Sequence, residues 1–349
     1  MQQRFSRTGF ERAAKERQAR FRQDSTTISG ESKHPMDDKG MRNSHLLALG
    51  HEEENLFPGV RDGEAIDFFR QRNIKWWRNP RSGDDTNTDG PTRNMASSQV
   101  ACVNFLLPLA GIPRALAAAL RALDDDVRAV VDIAHDGRAT PVEFEWLGLP
   151  RSLEGGVTRG AQNTSVDAFL IAETASGRRR AYLMEWKYVE QYLRTRPEFK
   201  GDGKSGDTRR RRYADAYRAP FSSFNPETAP DLDDFLYEPF YQIMRQRLLA
   251  DRMVRMGELD VDEAKVVVVA PEDNLAYRLI SDGRAVTSPP LARRFPRLAT
   301  VDEVMRPCLK DPDSQFRMVS PSRLLEGVVR SLPKETVAWA GYWRERYGV

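Results

Sequence analysis

The chain has 349 residues and a formal net charge of +3, with a mean hydropathy of −0.61; no apolar run approaches the roughly 18 residues that a membrane span needs. Its first 23 residues are charged throughout and carry no secretory pattern, so a cytoplasmic protein is expected. Two cysteines far apart, Cys102 and Cys308, exclude a disulfide framework and a paired-cysteine zinc site, and four histidines, three of them in the first 51 residues, are too few for a histidine-based metal centre.

The net charge is small, but its distribution is uneven. Residues 1–22 hold seven Lys/Arg against two Glu, and residues 194–218 hold nine against four acids. Residues 1–60 lack a sustained apolar period; Glu11 to Arg22 could form a short helix with few apolar residues to bury, and the segment reads as a mostly disordered basic arm followed by an acidic stretch, either an idle solvated tail or a nonspecific arm for holding DNA. A single domain is expected over residues 61–349. Glu64 to Arg72 has the pattern of a short amphipathic helix, followed by Ile74-Lys75-Trp76-Trp77 and a Gly/Asp/Pro-rich loop from Pro80 to Thr92. Ser97 or Ser98 can cap the next helix, whose apolar residues include Val100, Val103, Leu106 and Leu107; Pro108 is expected to end or kink it. Gln99 and Asn104 within it read as core amides. A second helix is expected from Pro113 to Leu123, and Asp124-Asp125-Asp126 after it reads as a solvated turn or cap. Val127 to Ile133 fits either a strand or a helical continuation.

Val142-Glu143-Phe144-Glu145-Trp146 alternates strictly and predicts a strand with both glutamates on one face; Glu143 is expected to face water. The loop from Leu149 to Asn163 contains Arg159, which could meet a phosphate or be ordinary surface. The stretch from Thr164 to Glu190 then predicts a β-hairpin, with strands over Asp167 to Ala172 and Arg180 to Tyr188 and a turn at Ser176-Gly177. With a three-residue loop, Ala175-Ser176-Gly177, and Gly177 left-handed, pairing is symmetric about Ser176. Asp167 and Glu185 each stand nine residues from that centre and face one another, and Lys187 shares the face of Glu185. Opposed residues have their β-carbons about 4.5–5.5 Å apart, and two opposed like charges are destabilising. A divalent cation between them gives the arrangement a reason. An even-numbered loop would put Asp167 on the other face.

Val189 to Arg194 reads as helical. Residues 194–218 read as a basic insertion with Arg209, Arg210, Arg211 and Arg212 beside Tyr213 and Tyr217, suited to phosphate contact and base stacking or else a solvated insertion. Asp231 to Met256 has the strongest helical pattern of the chain, interrupted at Pro239. Ala264 to Ala270, AKVVVVA, predicts a strand buried on both faces. A last strand at Phe316 to Val319 and helices at Ser322 to Leu332 and Thr336 to Tyr347 complete the reading.

Asp167 followed by Glu185-Trp186-Lys187 on the next strand resembles the PD-(D/E)XK nuclease superfamily; Val166 stands where a Pro sometimes precedes the Asp. The runs SSQVACVNFLLPL (97–109), FEW (144–146), NTSVDA (163–168), EWKYVE (185–190) and FYQIMRQRLLA (240–250) resemble, in that order, the blocks of a bacterial family of restriction-endonuclease-like proteins within it. The resemblance implies an α/β restriction-endonuclease-like fold in three layers, a central mixed sheet with an antiparallel hairpin and flanking helices. It implies Mg²⁺-dependent phosphodiester hydrolysis, with Mn²⁺ a substitute, and DNA as the substrate. Asp167 and Glu185 would hold the metal with the Trp186 carbonyl and water, and Lys187 would position or deprotonate the attacking water. Glu145 matches the acid of the FEW block, a further carboxylate beside the metal, and Gln242 matches a helix glutamine near the site, with a plain surface role as the other reading. Gln99 and Asn104 approach the site in the same scheme. A restriction or defence role, a homodimer and a methyltransferase partner come from the resemblance alone; the other class of reading is a catalytically silent nuclease fold that binds nucleic acid or a partner.

Overall fold

Among the described residues the β-branched and aromatic runs become eight strands: β1 (Val127–Val131), β2 (Ile133–His135), β3 (Arg138–Thr140), β4 (Glu143–Trp146), β5 (Val166–Thr174), β6 (Arg179–Trp186), β7 (Glu263–Val269) and β8 (Phe316–Val319). One sheet runs β1-β5-β6-β7-β8 with β4 also on β5, and β2-β3 pair separately. It is a mixed sheet, because β5 and β6 are antiparallel while β7 and β8 are parallel. The architecture is the restriction-endonuclease-like α/β fold, a central mixed sheet with helices packed on it. This computed structural model describes residues 9–33, 45–78, 89–156 and 163–349.

The chain forms two compact units. One comprises Met1–Asp125, Trp186–Val189 and Pro321–Val349; the other, Asp126–Glu185 and Glu190–Ser320, holds nearly all of the sheet.

In the sheet unit the hairpin has the register read from its loop. Thr174 and Arg178 close the turn, with the Thr174 N–H donating to the Arg178 carbonyl at 2.9 Å. Gly177 takes φ +76°, a conformation that glycine adopts without steric cost. The pairs run from Glu173/Arg179 to Ala168/Met184. Alternate residues Phe169, Ile171, Ala181 and Leu183 share a core cluster with Phe240, Met244 and Leu248 of the Phe240–Met256 helix. That helix starts where Pro239, which has no N–H to donate, stands at its N-cap. The residues before it form only a short 3₁₀ turn, Leu232–Phe235. β7 is buried over Val266–Val269, as a strand covered on both faces must be. Val189 to Arg194 is not helical: the N–H groups of Tyr192 and Leu193 donate to the Ala276 carbonyl at 3.0 and 2.9 Å instead of to their own segment.

The turn end of the hairpin is held by charge. Arg180 donates to Asp126 at 2.7 and 3.0 Å and to Glu263 at 2.7 Å. Its hydrogen bonds hold the Asp126 carboxyl below the usual carboxylate range.

Of residues 1–60, those described, 9–33 and 45–60, are folded in the helical unit and not a disordered arm. Gly9–Asp24 is a helix with Ala14, Gln18, Ala19, Phe21 and Arg22 buried. Gln18 donates to the Arg346 carbonyl at 2.9 Å and to the Tyr188 hydroxyl at 3.0 Å, and Phe21 meets Tyr342 edge-on at 5.5 Å. Its burial comes from polar and aromatic contacts that an apolar count does not register. Arg346, on the Val337–Tyr347 helix, is fully buried and donates to Gln18 Oε1, the Asn55 carbonyl and side chain, the Tyr342 hydroxyl and the Met95 carbonyl.

Ser97 caps the Ser98–Ala110 helix, accepting from the Val100 N–H. Pro108 does not end it. The proline removes a donor to the Asn104 carbonyl four residues back, and the indole N–H groups of Trp339 and Trp343 supply one at 3.3 and 3.2 Å.

Two outcomes are expected. Arg346→Met leaves buried oxygens of Asn55 and Gln18 without their donor and should lower unfolding stability by roughly 1–3 kcal/mol for each acceptor left unpaired; a urea midpoint matching wild type would show the contacts to be dispensable. Asp126 has a lowered folded-state pKa, so its contribution is present above the unfolded value of about 3.9 and is lost as pH falls through the folded value. The stability gap between wild type and Arg180→Met should therefore narrow as the pH of the melts is taken from about 6 down to about 3; a gap that does not change with pH would count against the Asp126 pair.

Candidate active site

The next step of the hairpin register beyond Ala168/Met184 puts Asp167 opposite Glu185. On the other side of β5, Phe144 pairs with Ala168 and Trp146 with Val166, so Asp167 lies level with Glu145. Three carboxylates thus occupy one row across β4, β5 and β6. Alternation places Asp167 and Glu185 on the face of Phe169 and Leu183, the face packed against the Phe240–Met256 helix.

Glu145 and Glu185 are buried, whereas Asp167 is half-buried. Glu145 has φ +49°, a left-handed conformation that costs an L-residue roughly 1–2 kcal/mol, and this interrupts the alternation expected of its strand. Glu143 also departs from expectation. All four residues of β4 are buried, and Glu143 does not face water.

A hydrogen-bond chain links Glu185 to Glu145 through Gln246 and Ser165. Gln246 donates through Nε2 to Glu185 Oε2 and to the Ser165 carbonyl at 3.4 Å, and the Ser165 hydroxyl donates to Glu145 Oε2 at 3.2 Å. The helix residue that reaches Glu185 is therefore Gln246, a turn beyond the expected Gln242. Gln242 is half-buried, and its Oε1, like Gln246 Oε1, is buried without a hydrogen-bond partner. The two lie four residues apart and so share a helix face; this spacing in YQIMRQ was the signal for Gln246.

Beside this chain, Glu154 accepts from Thr164 N at 2.7 Å, Thr164 Oγ1 at 2.5 Å and Tyr213 OH at 2.8 Å. Burial pushes the Tyr213 phenol up, and Glu154 adds to the effect. Arg245 donates to Thr164 Oγ1 at 2.9 Å and stands 3.6 Å from Glu154. These residues fix the start of β5, two to three positions before Asp167.

Lys187 stands just past the end of β6 and is buried. Gln99 and Asn104 are satisfied core amides. Gln99 accepts from the Trp77 N–H at 2.7 Å, and Asn104 accepts from the Phe57 N–H at 2.7 Å.

The basic insertion contains the Gly203–Arg218 helix, with Tyr213 and Tyr217 buried on its inner side. The tyrosines are core residues and not stacking platforms. Arg210 is held by Asp233 at 2.8 and 2.9 Å, and Arg209 donates to the Lys200 carbonyl at 2.7 Å. Arg211 and Arg212 are exposed. Arg159 lies outside the described residues.

Among the described residues, no group of three or more His, Cys, Asp or Glu side chains is placed to hold a metal ion. Asp167 and Glu185 are hard oxygen donors, one of them open to solvent. Mg²⁺ is commonly held by one or two carboxylates and completed by water and substrate phosphates, so the donor set fits that ion.

A family model described as REase-ARP, "Restriction Endonuclease associating with ARP", matches residues 17–348. No curated protein and no solved structure matches the chain.

Gln246→Leu removes the donor to a buried carboxylate and to a carbonyl and should cost roughly 1–3 kcal/mol of stability. Urea unfolding checks this; a variant as stable as wild type would mean that the Gln246 bonds contribute nothing.

Proposed function

The chain belongs to the REase-ARP family, and from that premise we propose that it is a magnesium-dependent nuclease that hydrolyses phosphodiester bonds in DNA. The observation that carries this reading is the register that opposes Asp167 to Glu185 on one face of the hairpin, level with Glu145. Opposed carboxylates repel, and a cation offsets that repulsion.

In this reading Asp167 and Glu185 hold Mg²⁺, with Glu145 as the adjacent acid. The ion, when bound, supplies Lewis-acid stabilisation of the charge that builds on the phosphate and on the leaving oxygen. Gln246 keeps the Glu185 carboxylate in one orientation, and Ser165 does the same for Glu145. Lys187, two residues beyond Glu185, orients the attacking water and takes its proton. A lysine amine does this when burial and a nearby cation lower its proton affinity; neighbouring carboxylates oppose that. Arg211 and Arg212 contribute phosphate contacts. The family's description also names association with ARP; such a partner and a defence role are part of the proposal.

The second reading is a catalytically silent nuclease fold that binds nucleic acid or a partner. What favours it is the lack, among the described residues, of any three-acid group placed for a metal.

Supercoiled plasmid and linear duplex incubated with the protein in Mg²⁺, in Mn²⁺ and in EDTA separate the two. Cleavage should need the divalent ion, and Asp167→Ala, Glu185→Ala and Lys187→Ala should each lower its rate by about 10²–10⁴-fold while leaving the protein folded. Cutting by Lys187→Ala at near the wild-type rate would reject this mechanism; salt-sensitive binding with no cutting would select the silent fold.

A further inference from the structure

Five of the six tryptophans are buried at 5% exposure or less, whereas Trp77 is 60% exposed. Trp77 does not hang from a loose loop. Its N–H donates to Gln99 Oε1 at 2.7 Å, and the same amide donates to the Lys75 carbonyl at 3.2 Å. The preceding Trp76 is buried and stacks on Phe69 with ring centroids 3.9 Å apart. The chain thus has a fixed backbone at this point and presents one large aromatic ring to solvent.

The sequence on either side of Trp77 is locally basic. Arg70, Arg72, Lys75 and Arg78 fall within nine residues, 70–78, that contain no acid. Arg70 is paired with Asp67 at 2.6 Å and Arg72 lies over the Phe68 ring at 3.6 Å, while the Lys75 side chain is exposed. An anchored, exposed aromatic ring two residues from an exposed lysine suits a single-stranded nucleic acid: a phosphate meets the lysine and a base stacks on the ring. A base inside a duplex is already stacked on both sides, so the occupant must offer an unpaired one.

We propose that residues 70–78 bind single-stranded DNA, with an unpaired base stacked on Trp77 and the flanking phosphate met by Lys75. The choice of DNA rests on the nuclease reading above; the need for an unpaired base rests on Trp77.

The test is fluorescence anisotropy of a labelled oligothymidylate and of a duplex of equal length, in EDTA so that nothing is cut, over a series of salt concentrations. Trp77→Ala should weaken oligothymidylate binding by about 5- to 150-fold, the range that one stacked base supplies, with Trp77→Phe retaining most of the affinity and duplex binding unchanged. Lys75→Gln should make the salt slope shallower by about 0.7. An exposed ring can be removed without loss of fold, and an unchanged melting curve for Trp77→Ala checks that. The proposal is overturned if the wild type does not bind the oligothymidylate, if Trp77→Ala binds it as tightly as wild type, or if the variant loses oligonucleotide and duplex equally. Loss of oligonucleotide binding in Trp77→Ala together with a wild type that never cuts plasmid would uphold this contact and reject the catalytic reading. Cutting by wild type with unaltered binding by Trp77→Ala would do the reverse.

Discussion

The parity of one loop governs the candidate site. Side chains alternate along a strand, so the Ala175-Ser176-Gly177 loop, odd in length, places Asp167 and Glu185 on the same face; one residue more or less would send Asp167 to the opposite one. Gly177 at φ +76° lets the loop close in three residues, and the Thr174 hydroxyl reinforces it by accepting from the Arg178 N–H at 3.2 Å. A few residues further along β6, Arg180 joins Asp126 and Glu263, which ties both β7 and the residue preceding β1 to the hairpin. The register is therefore secured at the turn, far from the carboxylates whose placement depends on it.

The second constraint is helical phase. Pro239 cannot donate a hydrogen bond, so the helix begins at Phe240, and counting from that start fixes which side chains meet the hairpin. Phe240, Met244 and Leu248 fall in the core cluster, and Gln246 falls where Glu185 and the Ser165 carbonyl lie within its reach. A local property of one proline thereby sets the orientation of a carboxylate on a distant strand. Glu145 is placed differently, by a positive φ within β4. Strain of that kind persists only where the surroundings over-determine it, and here β4 is buried throughout and held by the Ser165 hydroxyl.

What was legible in the sequence follows from the range of the interactions involved. The hairpin, its turn and its register depend on residues close in sequence and could be read from Ser176-Gly177 and the alternating strands. The same holds for β7, whose unbroken β-branched run leaves no exposed face. A short helix over Glu11 to Arg22 was legible but its burial was not, since Gln18 and Phe21 are buried by Arg346 and Tyr342, more than three hundred positions away. Pro108 misled for a related reason: the lost donor was replaced by Trp339 and Trp343, which no local rule anticipates. Gln242 and Gln246 share a helix face, so periodicity alone could not choose between them. The arginine run looked like a phosphate-binding patch because Asp233, the partner of Arg210, arrives from outside it.

The two ends of the hairpin hold carboxylates in different ways. At the turn, Asp126 and Glu263 receive a guanidinium, whose charge offsets theirs and whose geometry stabilises the fold. At the other end, Glu185 and Glu145 receive hydrogen bonds from an amide and a hydroxyl. Such donors orient a carboxylate without cancelling its charge. Asp167 between them is half-buried and so remains within reach of solvent. The amide of Gln246 and the hydroxyl of Ser165 fix the orientation of Glu185 and Glu145, so one strand pair carries acids bound to an arginine at its turn and acids oriented by a helix and a neighbouring strand end at the other.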